Sequence, residues 1–363
     1  MARFVAPGRV NLMGDHTDYN SGFVLPFALD RACTVVTSPA SDPTVGDPTV
    51  GGPTVTARSQ ELAGTVTVPA DGSVDPRTVD PVWGRFVAGV VRVLTERGIT
   101  VPGTGLAITS TVPAGSGLSS SSALTVALTL ALTDAAGAAM DRLDLARLAL
   151  AAEVAATGVP GGLMDQLASL FGQSGHALLV DCRTNELTPV PISPGVAVLV
   201  VHSGVPRTLA GTAYAARRAE CEGIASRLGI ASLRDATSVE VYREPRARHV
   251  VSENARVLAT AAALPDGDLS VLGPLLLASH ASLRDDYEVS IPELDLLVEL
   301  LVECGAAGAR LTGAGFGGCV VALAQRNHAD DIAAKAALRY RAATGIEPLA
   351  FVARAIDGAR QLP

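Results

Sequence analysis

Pro113-Ala-Gly-Ser-Gly-Leu-Ser-Ser-Ser-Ser-Ala123 is the stretch on which the rest of the chain turns. Before it, Gly105 to Val112 alternates like a strand. After it, Leu124 to Ala136 is an apolar segment of helical length, closed by Gly137. A strand that ends in a glycine- and serine-rich loop and opens a helix reads as an anion site, with a serine-rich N-cap or linker as the plainer alternative. The first-turn N–H groups of such a helix have no partner within it and lie at the positive end of its dipole. Gly115 and Gly117 let the backbone approach phosphate oxygens with no Cβ in the way. Ser119 to Ser122 add hydroxyl donors, and one hydroxyl can ligate Mg²⁺. A helix N-cap accounts for one serine but not for four in a row.

Nearer the start, Ala6-Pro-Gly-Arg-Val-Asn-Leu-Met-Gly-Asp-His-Thr-Asp-Tyr-Asn-Ser-Gly-Phe-Val-Leu-Pro26 packs Arg9, Asp15, His16 and Asp18 between two apolar segments. Arg3-Phe-Val5 reads as a strand that Pro7-Gly8 breaks. Phe23 to Leu29 reads as a second strand. Carboxylates and guanidiniums grip polyhydroxylated or anionic small molecules. A solvated turn, its Asp and Asn side chains bonded to local backbone, accounts for the same residues. Taken alone, the stretch leaves both readings open.

Downstream of the serine loop, Asp141 to Ala156 has helical spacing, with Glu153 the single acidic residue of its last turns. Glu153 is either a solvated edge residue or a metal ligand facing the serines. Thr157 to Gly162 is a break, and Leu163 to Phe171 starts another helix. Asp165 in its first turn either complements the helix dipole or takes a proton from a hydroxyl beside the glycine-rich break. Trp83 to Arg97 is helical in spacing, and Trp83, the single tryptophan, is expected in the core. His176 to Cys182 reads as a strand.

A second unit is expected from residue 194, with a buried strand at Val196 to His202 and helices near 211–228, 247–263, 269–286 and 291–304. Tyr214 opens the first of these. Two short strands then flank glycines at 313, 315, 317 and 318, and a helix near 328–344 and a strand near 348–353 follow. Ser38 to Val55 repeats Pro-Thr-Val with prolines at 43, 48 and 53. It reads as an exposed, flexible insertion between strands.

Length and composition set the bounds. At 363 residues two domains are expected, and 48% hydrophobic residues supply ample core. The net charge of −8 argues against a nucleic-acid binder, which needs a basic face. Cysteines 33, 182, 221, 304 and 319 are scattered and never spaced C-x-x-C. They read as reduced thiols of a cytoplasmic protein. No signal peptide is expected, and no apolar run is long enough to span a bilayer. The chain has one lysine, Lys335. No G-x-x-x-x-G-K-[ST] motif exists, so any nucleotide phosphate is held without a P-loop lysine.

Three motifs now stand in a fixed order: Gly8-Arg-Val-Asn-Leu-Met-Gly-Asp-His-Thr-Asp-Tyr-Asn20, the Pro113 loop, and Leu311-Thr-Gly-Ala-Gly-Phe-Gly-Gly-Cys319. Together they resemble the GHMP small-molecule kinase family over nearly the whole chain. The first motif, with Gly162-Leu-Met-Asp-Gln166 and Gly175 to Arg183, resembles the branch that phosphorylates galactose. The resemblance implies a two-domain α+β fold: residues 1–193 like ribosomal protein S5 domain 2, and residues 194–363 a ferredoxin-like domain, with ATP and sugar between them. It implies Asp165 as the catalytic base with Arg9 beside it. Arg9, Asp15, His16, Asp18, Gly162, Asp165 and Tyr214 are implied to contact the sugar. Trp83, Pro113, Gly115, Ser116, Gly117, Leu118, Ser119, Ser120, Ser121 and Gly315 are implied to bind the nucleotide, and Ser121 and Glu153 to hold Mg²⁺. The reaction implied is transfer of the ATP γ-phosphoryl group to the anomeric hydroxyl of galactose, by a monomer.

The chain departs from the family pattern in four places. Asp15 stands where the branch has Glu, a side chain about one methylene longer. The serine run reads Ser-Ser-Ser-Ser-Ala in place of Ser-Ser-Ser-Ala-Ser. Val154 follows Glu153 in place of His, and Gly161 precedes Gly162 in place of Cys. Asp15 leaves open a kinase for a related sugar, such as L-arabinose or an N-acetylated hexosamine. A sensor that binds sugar and ATP without transfer is the third reading, and it is disfavoured by the presence of Ser119 to Ser122, Glu153 and Asp165.

Overall fold

The computed structural model describes residues 1–39, 52–205 and 210–363, and every structural statement below concerns those residues. In chain order the strands are β1 (Arg3–Asn11), β2 (Phe23–Val24), β3 (Pro26–Pro39), β4 (Thr54–Ser59), β5 (Thr65–Pro69), β6 (Thr104–Ser110), β7 (His176–Asp181), β8 (Glu186–Pro191), β9 (Val196–His202), β10 (Gly308–Thr312), β11 (Cys319–Gln325), β12 (Leu349–Ala353) and β13 (Arg360–Leu362). The helices are α1 (Gly84–Glu96), α2 (Ser120–Ala135), α3 (Arg142–Thr157), α4 (Met164–Phe171), α5 (Ala210–Leu228), α6 (Ser238–Arg243), α7 (Pro245–Ala263), α8 (Leu269–Asp285), α9 (Pro292–Glu303) and α10 (Ala329–Thr344).

Strands β13-β1-β3-β6-β4-β5 form one sheet, in which β4 and β6 run parallel and the other pairs antiparallel. Helices α2 and α4 pack on β1 and β3, and α3 and α1 pack on α2. Strands β10-β11-β9-β12 form a second, antiparallel sheet, covered by α8, α9 and α10. Strands β2-β7-β8 form a third. The architecture is α+β. Along β9, Val196, Val198 and Val200 enter one core cluster, while Ala197, Leu199 and Val201 enter another. Side chains of a strand alternate between faces, so a strand buried on both faces reads as an unbroken apolar run, as this one does.

Two local expectations need correction. Pro7-Gly8 does not break the first strand: β1 runs on to Asn11, and the register against β3 shifts between Pro7 and Arg9. The irregularity is on β3, where residues 29–31 stand against Gly8 alone. Gly8 serves a close approach as well, since a Cβ there would lie 2.5 Å from the Leu118 carbonyl oxygen. The Arg9 amide donates to that same oxygen at 3.1 Å, which ties β1 to the serine loop. The second correction is the start of α2, at Ser120 rather than Leu124. Ser119 takes a left-handed backbone (φ 59°) and turns the chain, so Ser120 to Ser122 form the helix's first turn. Most of the Pro-Thr-Val repeat, residues 40–51, lies outside the described residues; its ends belong to β3 and β4.

Candidate active site

A cavity of about 390 Å³ lies where the N-terminus of α2, the last turns of α3, the segment 159–166, the loop 15–18 and the turn Gly313–Ala314 meet. Of the residues singled out from sequence, Arg9, Asp15, His16, Asp18, Gly115, Gly117, Ser119, Ser120, Ser121, Glu153, Gly162, Asp165 and Tyr214 line it. Segments from five parts of the chain, 9–18, 115–122, 150–166, Tyr214 and 313–314, are thus brought to one space.

On one wall, Asp165 opens α4 and receives Arg9 Nε at 2.7 Å on Oδ1. The Ser119 hydroxyl donates to its other oxygen at 2.6 Å. Arg9 is itself buried, and its Nη1 donates to the Gly117 carbonyl at 2.6 Å. The guanidinium therefore bridges the carboxylate and the serine loop, and its orientation is fixed at both ends. Next to this pair, Glu153 on α3 accepts from Ser121 Oγ (2.6 Å), Ser122 Oγ (2.8 Å) and Gln166 Nε2 (2.8 Å). Burial raises the Glu153 carboxyl above its ordinary value, and the Asp165 charge adds to this against the serine bonds. A hard carboxylate oxygen and a serine hydroxyl side by side at a phosphate-type loop are the donors a Mg²⁺ ion takes, together with waters and phosphate oxygens.

Asp18, His16 and Tyr214 also line the cavity. Asp18 sits directly over Gly162, where a Cβ would come within 1.9 Å of its Oδ2. Gly162 is there to make room for the carboxylate. Burial pushes Asp18 up to about 6, reinforced by the Asp165 and Asp15 charges and opposed by the Tyr19 amide and by Arg9. His16 has a left-handed backbone (φ 65°), and its Nε2 lies 3.2 Å from the Ala314 carbonyl oxygen and its Nδ1 2.8 Å from Tyr19 Oη. With the imidazole neutral, the carbonyl fixes the proton on Nε2 and the phenol donates to Nδ1. The Tyr214 ring stands 5.6 Å from the His16 ring, and burial raises its hydroxyl well above the ordinary phenol value.

The remaining sequence-named residues lie outside the lining. Ser116 is buried, its hydroxyl donating to the Pro113 carbonyl at 2.7 Å, so it shapes the loop from within. Leu118 is core, and Gly315 (φ 74°) passes against the Val289 carbonyl, where a Cβ would lie 2.2 Å away. Trp83 packs in the core and donates Nε1 to the Ala63 carbonyl at 3.1 Å. The structure also supplies groups that the sequence reading passed over. Ser122 and Gln166 hold Glu153, and Arg310 donates to Asp15 from β10. The one available signal for Arg310 was its position as the lone charge in an otherwise uncharged strand beside a glycine-rich loop. Lys335, on α10 and 61% exposed, pairs with Asp331 and is not part of the cavity lining.

Three family models match the chain: a galactokinase galactose-binding signature at residues 2–39, the GHMP kinases N terminal domain at 85–173 and the GHMP kinases C terminal at 260–342. A galactokinase from a Roseiflexus species is 42% identical, covering 97% of this chain and 91% of that one. The galactokinase of Mycobacterium tuberculosis is 43% identical over 90% of each chain. The chain belongs to the galactokinase family of GHMP kinases. The crystal structure of Lactococcus lactis galactokinase complexed with galactose superposes with a TM-score of 0.90 at 31% identity, covering 99% of this chain and 95% of that one. Mevalonate kinase of Methanococcus jannaschii, at 17% identity and a TM-score of 0.71, shares the fold. The two-domain α+β fold expected from the motifs is the fold of this family. Among the described residues, no helix is long and apolar enough to cross a membrane.

Proposed function

We propose that the chain transfers the γ-phosphoryl group of ATP to the anomeric hydroxyl of galactose, giving galactose 1-phosphate and ADP. The observation that carries this is Asp165, held by Arg9 on one side and Ser119 on the other, at a cavity that also contains the anion loop and the Asp18 carboxylate. Phosphoryl transfer needs positioning and charge neutralisation more than covalent chemistry. In this reading Asp165 orients the acceptor hydroxyl and takes its proton. Arg9 neutralises charge on the transferring group, doing with a fixed guanidinium what a P-loop lysine does elsewhere. Gly115, Gly117 and the first turn of α2, with Ser119 to Ser121, receive the phosphates. Asp18, His16 and Tyr214 hold the sugar, and Gly162 seats Asp18.

Ser121 and Glu153 would hold Mg²⁺, which supplies charge neutralisation at the phosphates when bound. The half-buried Glu153, whose carboxyl is raised by desolvation, fits that role, because a divalent cation offsets the lost hydration. Contact of the base with the Trp83 ring face is not part of the proposal, given that ring's packing in the core. Residues 1–193 form the unit with the signature and phosphate loop and residues 194–363 the second, which lends β13 to the first sheet. The same proposal takes the protein as a cytoplasmic monomer.

An assay of ADP release across a panel of monosaccharides tests this. Turnover is expected with galactose, and binding of sugar and ATP without any turnover would overturn the transferase assignment. One observation favours a second reading, a kinase for a related monosaccharide such as L-arabinose: the carboxylate of Asp15, at the cavity lining, is already bonded by Arg310 and the Gly313 amide. Higher kcat/KM on that sugar than on galactose in the same panel would establish it.

A further inference from the structure

At the edge of the cavity four charged side chains are packed together: Asp15, which lines it, and Glu253, Arg256 and Arg310 behind it. Two carboxylates and two guanidiniums cancel in charge. Arg310 is fully buried and donates from Nη2 to Asp15 Oδ2 and from Nη1 to the carbonyls of Leu12 (3.1 Å) and Asn11 (3.4 Å). The same Nη2 lies 3.8 Å from Glu253 Oε1. Asp15 Oδ1 accepts from the Gly313 amide at 3.1 Å and from Asn11 Nδ2 at 3.0 Å. Glu253 accepts from the Gly14 amide at 3.0 Å and from Ser279 Oγ at 2.7 Å, and its second oxygen takes Arg256 Nε at 2.7 Å. His249 Nε2 reaches the Asp15 carbonyl at 3.0 Å. Loop 14–18 is thereby fastened to α7 and to the turn after β10, a segment almost 300 positions later in the chain.

Packed apolar residues could fill the same volume at equal or greater stability, because a buried ion pair costs much of its Coulomb energy in lost hydration. What apolar packing cannot do is fix direction. The planar guanidinium of Arg310 sets three acceptors in one fork, and two of them, Asp15 and the Leu12 carbonyl, flank the start of the loop that carries His16 and Asp18. Asp15, 2% exposed, is bonded through both oxygens to the protein.

We propose that Arg310 is a positioning residue for the acceptor side of the cavity: through Asp15 it locks loop 14–18 onto the Gly313–Ala314 turn and so sets where His16 and Asp18 meet the sugar. The proposal rests on the sugar-kinase reading above. Arg310→Lys tests it, since lysine keeps the buried charge but cannot hold Asp15 and both carbonyls as a fork. The expected result is a KM for the sugar raised by about 10- to 100-fold, with kcat and the KM for ATP within about threefold of wild type. Asp15→Asn, which leaves Arg310 beside Glu253, is the second variant and should give the same split. The two changes combined should cost much less than the product of the single effects, because both break one contact.

Hydrogen exchange without any ligand gives an independent readout. The amides of residues 14–18 and 313–314 should exchange faster in Arg310→Lys while the α2 amides do not change. A lower Tm with no KM split, equal loss on sugar and ATP, multiplicative single effects, or unaltered exchange at the loop would each overturn the proposal. If wild type turns over no sugar at all, the kinase reading falls instead, and the exchange measurement still decides whether Arg310 locks the loop.

Discussion

Asp18→Asn should make the protein more stable and a poorer sugar binder at once. The Asp18 carboxyl is pushed from its ordinary 3.8 to about 6, first by burial and then by the charge of Asp165. Between those values the folded protein keeps a proton that the unfolded chain has lost. The stability this contributes is full below pH 3.8 and is lost as pH rises through about 6. Above pH 6 the folded state holds an ionised carboxylate against its burial, at a cost of up to roughly 3 kcal/mol. Asparagine has the same shape and no charge, so the cost disappears. At pH 8 the variant should melt higher, on the order of 5 °C for a chain of this size, and the gap should close as pH falls toward 4.

The same change removes an ionised acceptor for sugar hydroxyls. Hydrogen bonds to charged groups are worth about 1.5–3 kcal/mol, so the KM for sugar should rise by about 10- to 100-fold. Thermal unfolding of both proteins from pH 4.5 to 8, with sugar kinetics at pH 8, measures both effects. A melting difference that is absent at pH 8, or the same size at pH 5 and pH 8, would refute the reasoning.

Asp165→Asn should reduce kcat by at least about 10²-fold with ATP affinity unchanged by calorimetry; retained turnover would remove Asp165 as the base. Gly162→Ala puts a methyl 1.9 Å from Asp18 Oδ2, so the carboxylate must retreat by about 1 Å, and sugar kcat/KM should fall by about 10²-fold while the KM for ATP holds. Glu153→Gln should raise the Mg²⁺ concentration for half-maximal activity at saturating ATP by about 10-fold or more, and an unchanged Mg²⁺ titration would exclude Glu153 as a ligand.

Local chemistry was legible from the residues. The serine loop, Asp165, Glu153, Arg9 and Asp18 advertise themselves by type and by placement at the ends of elements, and all of them line one cavity. Pro7-Gly8 misled because a pair that often breaks a strand is carried through this one: β3 takes up the register irregularity opposite Gly8, and the missing Cβ of Gly8 admits the Leu118 carbonyl. Strands β8 and β13 went unread for a different reason. Glu186–Pro191 carries two prolines and is mostly exposed, and Arg360–Leu362 is three residues long, so neither has an alternation to detect. The ion-pair cluster behind Asp15, with Arg310 and Glu253, was not legible in the sequence. Their spacing to Asp15 follows no helical or strand period, and the contact exists only because β10 returns to the end of β1.

The cation at the acceptor has one further consequence. In solution a hexose opens part of the time to an aldehyde, and aldehydes condense with neutral amines to give Schiff bases. A lysine pressed against such a sugar would in time be consumed by it. In the proposed reading Arg9 delivers positive charge through a guanidinium, which is not such a nucleophile. The chain's one lysine sits out on α10, paired with Asp331. Under the proposed function, a reducing sugar in the cavity meets no lysine in its lining to condense with.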